Sequence, residues 1–119
     1  MDITKIREKI DRIDNKIIDL INERISLIPN VIKYKLKNNL PIKDAKREKQ
    51  IFQMIREKAI KLNLNPDFIE SIFKIIIDES CKIQNEILDK KTNEEQRGTW
   101  KWLNTKQKSE KTLKKYSSQ

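Results

Sequence analysis

Residues 3–31 read ITKIREKIDRIDNKIIDLINERISLIPNV. Apolar side chains fall at Ile3, Ile6, Ile10, Ile13, Ile17 and Leu20 and then, after one interruption, at Leu27 and Val31, in alternating steps of three and four. That spacing keeps one stripe of a helix apolar and predicts a helix from Ile3 or Thr4 to about Lys37. At 1.5 Å per residue such a helix is roughly 50 Å long, more than a compact domain of this size needs. Its seam must therefore be buried along a partner. Pro29 lacks an amide hydrogen and crowds the carbonyl of Ile25, which predicts a bend or a slipped hydrogen bond between residues 25 and 29.

The interruption is Arg24. An unpaired charge on an inward face costs several kcal/mol, roughly, even after relaxation. Arg24 must therefore meet an anion, either a carboxylate of the protein, for which Glu48 is the candidate, or a bound ligand.

Composition fixes the class. The chain has 119 residues, 36% apolar and 38% charged, with one glycine and three prolines. That is enough for one domain and too little punctuation for a sheet-rich fold, so the expected class is all-α. Cys81 is the single cysteine, which excludes an intrachain disulfide. The longest aliphatic run, Ile75-Ile76-Ile77, is far short of the ~20 residues of a membrane span. The charged beginning of the chain does not read as a secretory signal, and the expectation is a soluble, cytoplasmic protein. Of the net charge of +9, six units belong to residues 90–119, where nine Lys or Arg face three Glu.

Two connections follow the first helix. Residues 37–43 (KNNLPIK) form the first, and Asp44 then stands where its carboxylate can accept from free amides of a second helix. Ile51, Phe52, Ile55, Ala59 and Leu62 mark that helix's inner face. Asn63-Leu64-Asn65-Pro66 supplies the second connection, with Asn65 as N-cap and Pro66 at the first helical position. A third helix carries Ile69, Ile72, Phe73, Ile76, Ser80, Ile83 and Ile87 on one face, to about Asp89. The organisation expected is a helical domain at 1–89 and a basic C-terminal segment at 90–119, flexible or with one short helix from Trp100 onward.

Polar residues recur on the inward faces. Ser80 takes an apolar position, Gln84 follows one turn later, and Asp44, Arg47 and Glu48 form one patch of the second helix. Lys35 lies eleven residues after Arg24, close to three turns. Singly each has an ordinary explanation: a solvated face for Lys35, Arg47 and Glu48, small-residue packing for Ser80, a surface amide for Gln84. Their convergence from three helices is how bundles build ligand sites. The chain has no histidine, no Gly-rich phosphate loop and no metal-ligand cluster, which argues against acid–base, nucleophilic and metal-assisted chemistry and implies no metal or cofactor. Arginines and a lysine suit a small multiply anionic molecule. A unimolecular rearrangement needs only such a pocket, which fixes a reactive shape and stabilises developing charge. Arg7 and Arg24 are seventeen residues apart, roughly 25 Å along one helix. If both serve one small ligand, a second chain brings Arg7.

These residues resemble the all-helical chorismate mutases of the AroQ class. The matching text is Ile6-Arg7-Glu8-Lys9-Ile10, Asp14 and Glu23-Arg24, then Lys35, Pro41-Ile42-Lys43-Asp44 and Arg47-Glu48, and finally Ile76-Ile77-Asp78-Glu79-Ser80 with Gln84. The resemblance spans about residues 3 to 88. It implies three helices per chain, a long first and two shorter ones, in an intertwined six-helix homodimer, and conversion of chorismate to prephenate on the route to phenylalanine and tyrosine. By position, Arg24 and the partner's Arg7 would hold substrate carboxylates, with Arg47 at the ring end. Lys35 and Gln84 would bond the ether oxygen, Glu48 with the Asp44 backbone would take the ring hydroxyl, and Ser80 would assist a carboxylate. Pro29 and the segment after Asp89 depart from the family pattern.

Three other readings compete. An isochorismate pyruvate-lyase relative would share the fold and the cations, but Asp44, Arg47, Glu48 and Ser80 together favour the mutase. A basic module could bind nucleic acid through Lys90 to Lys115 with Trp100, Trp102 and Tyr116 interleaved, although lysine-rich tails are usually solubilising. In a non-catalytic coiled-coil dimer, Arg24 would only set register.

Overall fold

The computed structural model describes residues 2–104, with side chains described through residue 92. All regular structure among them is helical: α1 (Ile3–Ser26), α2 (Ile28–Lys37), α3 (Ala45–Lys61) and α4 (Pro66–Asn104). Helices α1 and α2 are the two arms of the single long helix that the apolar seam predicts. They part at Leu27, whose amide bonds the Arg24 carbonyl at 3.2 Å in a tighter i to i−3 turn. Pro29 then enters at the start of α2, where a missing amide hydrogen costs least. The break expected from proline thus falls two residues before it.

Each connection is built without glycine. Asn39 and Asn63 take left-handed backbone angles, with φ of 54° and 58°. At the end of α2, Leu40 N–H bonds Lys35 C=O at 2.8 Å and Asn39 N–H bonds Leu36 C=O at 3.4 Å. At the end of α3, Leu64 N–H bonds Ala59 C=O at 2.9 Å and Asn63 N–H bonds Ile60 C=O at 3.1 Å. This paired pattern satisfies carbonyls that a helix end would orphan, and asparagine is the residue that best replaces glycine in it. The starts are capped as the sequence leads one to expect. Asp44 Oδ1 accepts from Arg47 N–H at 3.0 Å, and Asn65 Oδ1 accepts from Asp67 N–H at 2.9 Å. Arg56 Nη1 ties the two helices at that end, 2.9 Å from Asp67 and 3.7 Å from Glu70.

The core lies between α3 and α4, where Ile51, Ile55 and Ile77 are buried with Phe52, Ile69, Phe73 and Cys81 packed around them. Ile28 and Ile32 of α2 are buried as well. In contrast, α1 buries no residue within one chain. Its seam stands open, with Ile10, Ile13 and Ile17 each about half exposed (48%, 55% and 50%).

The last helix corrects an expectation. Apolar periodicity predicts that it is shorter than the first and ends near Asp89, with at most a separate short helix from Trp100. Instead α4 continues without a break to Asn104 and is 39 residues long. Inward-facing isoleucines stop near residue 87, but helices end at breakers rather than where burial ends. Residues 90–97 (KKTNEEQR) contain no proline or glycine, and Gly98 costs a helix only about 1 kcal/mol. The expected flexibility of the remaining tail concerns residues 105–119, which lie outside the described residues. No helix among the described residues is long and apolar enough to cross a membrane.

The core assignment has a direct test. Ile55→Ala, at a position 7% exposed, should cost about 2–5 kcal/mol in urea unfolding. Met54→Ala, one residue away and 58% exposed, should change stability by less than about 0.5 kcal/mol.

Candidate active site

A cavity of about 680 Å³ opens where α2, α3, α4 and the end of α1 meet. Its walls include Arg24, Lys35, Asp44, Arg47, Glu48, Ser80 and Gln84, so seven of the eight residues singled out from the sequence converge on one space. Arg7 is the eighth and does not reach the cavity within one chain; it lies exposed near the start of α1.

The structure places two linked polar groups. Arg24 Nη1 donates to Ser80 Oγ at 2.7 Å, and Ser80 Oγ donates in turn to the Ile76 carbonyl at 3.0 Å, one turn back on α4. Ser80 is thus oriented by its own helix to accept from Arg24. Further along, Lys35 Nζ donates to Gln84 Oε1 at 2.9 Å and to the Ile42 carbonyl at 2.5 Å. An ammonium has three N–H donors, so one remains for a ligand. Gln84 is only 5% exposed, and its amide N–H₂ has no protein partner among the described residues.

Among the described residues Arg24 has no carboxylate partner. The ion pairs include Lys43–Glu48 and those of Arg56, and among the described residues none involves Arg24, Lys35 or Arg47. Glu48, the candidate partner of Arg24, instead bonds Lys43 at 3.0 Å. That bond, with the charge of Glu48 beside it, raises the Lys43 pKa above its usual range. The raised pKa means that the lysine's contribution to stability is present at neutral pH and is lost as pH rises through the raised value. Three cations therefore face the cavity with their charges available, next to one carboxylate already neutralised by its own lysine and a second, Asp44, engaged as a helix cap.

Several contributors lie beyond the reach of sequence pattern. The Ile42 carbonyl that holds Lys35 is a backbone group, to which side-chain periodicity is blind. Tyr34 lines the cavity at the next step of the seam, three residues after Val31, while Asn30 lines it from beside that seam and Leu40 from the connection after α2, where periodicity says nothing. Lys43 is visible only as part of the Pro41-Ile42-Lys43-Asp44 motif. No group of three or more possible metal ligands occurs among the described residues.

The fold and cavity define a helical bundle with an internal site lined by Arg24, Lys35 and Arg47. Residues 6–85 match the family model described as chorismate mutase type II. Over 91 residues the chain is 38% identical to a chorismate mutase of Methanocaldococcus jannaschii, covering 76% of this chain and 92% of that one. It is 37% identical over 93 residues to a bifunctional chorismate mutase/prephenate dehydratase of Buchnera aphidicola (78% of this chain), and 31% identical over 88 residues to the enzyme of that name in Escherichia coli (74%). The chain spans about a quarter of the length of these bifunctional relatives, 24% and 23% respectively. It belongs to the type II chorismate mutase family.

Because Arg24 bonds only a neutral hydroxyl, removing its charge should not weaken the fold. Arg24→Leu should leave the unfolding free energy within about 1 kcal/mol of wild type, or raise it. The same protein should lose most of its kcat/KM toward chorismate. Thermal unfolding and a turnover assay on one preparation check both.

Proposed function

We propose that the chain catalyses the rearrangement of chorismate to prephenate as a homodimer, in the biosynthesis of phenylalanine and tyrosine. The observation that carries this reading is the set of uncommitted donors in one cavity: Arg24 without a carboxylate partner, Lys35 with one free N–H, and the Gln84 amide buried at 5% exposure with its N–H₂ unused. The reaction is intramolecular. An ether C–O bond breaks while a C–C bond forms, and no proton, electron or leaving group is exchanged with the protein. Such a step needs a binding site that compacts the substrate and stabilises negative charge on the ether oxygen.

Lys35 and Gln84 are assigned to that oxygen. Two acceptors already fix the Lys35 ammonium, so its third N–H needs no reorganisation when charge develops. Arg24, with Ser80 behind it, is assigned to a substrate carboxylate, Arg47 to the ring end, and Glu48 with the Asp44 backbone to the ring hydroxyl. The second carboxylate is assigned to the partner's Arg7. The open isoleucine seam of α1 supports this, because an apolar stripe of that length finds its burial against another copy of itself. The unpaired Cys81 supports residence in the reducing cytoplasm. Residues 1–89 are proposed as the catalytic domain and 90–119 as an appendage without a role in the reaction, nucleic-acid binding included.

Prephenate should form from chorismate; pyruvate release from isochorismate alone would overturn the assignment in favour of a lyase. Lys35→Ala should lower kcat by about two to three powers of ten, corresponding to roughly 3–4 kcal/mol of oxyanion-type stabilisation. An effect confined to KM would contradict that role. Arg7→Ala and Arg24→Ala should each be nearly inactive alone. After unfolding and co-refolding of the two, random pairing should restore about a quarter of the wild-type sites, since each mixed dimer carries one intact site. No recovery would remove Arg7 from the shared site. Truncation after Asp89 should keep activity within several-fold of full length.

A further inference from the structure

Lys43 stands outside the cavity wall, its side chain 69% exposed, with its ammonium 3.0 Å from Glu48. The Glu48 side chain is 17% exposed and lines the same cavity as Arg24, Lys35 and Arg47. A carboxylate among three cations has an obvious alternative: to pair with one of them and cancel the charge a polyanionic substrate needs. In this structure that pairing does not occur among the described residues; Glu48 instead bonds a lysine from the loop before α3.

We propose that Lys43 is a positioning residue that keeps the cationic groups of the cavity free, by occupying Glu48 from outside. The inference rests on the chorismate reading of the site. Its geometry has two parts. Lys43 follows Ile42, whose carbonyl is bonded by Lys35, so the loop that delivers Lys43 is anchored to the cavity at the adjacent residue. The ammonium therefore approaches Glu48 from a fixed backbone position. Its charge is secure as well, since the carboxylate raises the Lys43 pKa above its usual range. Surface ion pairs usually contribute little to stability. Here the consequence is for binding: with Lys43 present, the substrate meets uncommitted guanidinium and ammonium groups; without it, Glu48 competes with the substrate's carboxylates.

The test is a double-mutant cycle on the full-length protein with chorismate as the substrate. Lys43→Met should raise KM about five- to tenfold with kcat within about twofold, the signature of lost ground-state binding. Lys43→Arg should restore KM. In a Glu48→Gln background, whose amide cannot neutralise a cation, adding Lys43→Met should change KM less than about twofold. A Lys43→Met effect that persists undiminished beside Glu48→Gln would overturn the proposal, as would a fall in kcat at constant KM or a Lys43→Arg variant no better than Lys43→Met. Thermal unfolding of each variant separates these outcomes from misfolding, and should Lys43→Met not fold, Lys43→Gln carries the same cycle. Wild-type turnover is the control: if the unaltered protein does not convert chorismate, the chorismate reading fails, whereas active wild type with no coupling between Lys43 and Glu48 defeats only this inference.

Discussion

One ammonium group holds the site together. Lys35 donates to Gln84 on α4 and to the Ile42 carbonyl in the loop before α3, and its own carbonyl accepts from Leu40 in the turn that ends α2. A single residue thus cross-links three elements with side chain and backbone together. This charge satisfies the oxygen of the buried Gln84 amide, whose N–H₂ has no protein partner among the described residues; leaving the oxygen unmet as well would cost about 1–3 kcal/mol more. The loop carrying Lys43 and Asp44 is aimed by the same contact. Stability and chemistry are joined at that nitrogen, and the donor left over is what a substrate would meet.

Arg24 illustrates the opposite arrangement. It interrupts a regular apolar seam, yet the structure supplies only a serine hydroxyl in return. A guanidinium has five N–H donors, so one bond to a neutral oxygen leaves both charge and geometry unfilled. Evolution toward stability alone would place leucine there. Its presence is intelligible if the missing counter-charge arrives with a ligand, and the substrate proposed for this site carries two carboxylates.

Much of this is legible in the amino-acid sequence. Alternating three- and four-residue steps point to the all-helical class, and Asp44, Asn65 and Pro66 mark where helices begin because capping is local chemistry. Arg24, Lys35, Arg47, Glu48, Ser80 and Gln84 are legible as polar residues on inward faces, and they line one cavity. What is not legible has physical reasons. The end of α4 at Asn104 carries no signal because apolar periodicity reports burial, and a helix of lysines, glutamates and glutamine continues without it. The acceptor at Ile42 is hidden because every residue has a carbonyl. The choice of Lys43 over Arg24 by Glu48 depends on the path of a loop, which no residue spacing encodes.

The asparagine turns carry a final consequence. Only seven residues separate α2 from α3 and four separate α3 from α4, and each stretch is pinned by two backbone hydrogen bonds at a left-handed asparagine. Many enzymes admit substrate by swinging a long flap, and the flap's motion then limits turnover. The connection that borders this cavity, residues 38–44, contains no slack for such a flap. Apart from Leu27, where α1 and α2 part, the rest of the cavity wall is helix, so the shape a ligand meets there is tied to the stiffness of the bundle itself.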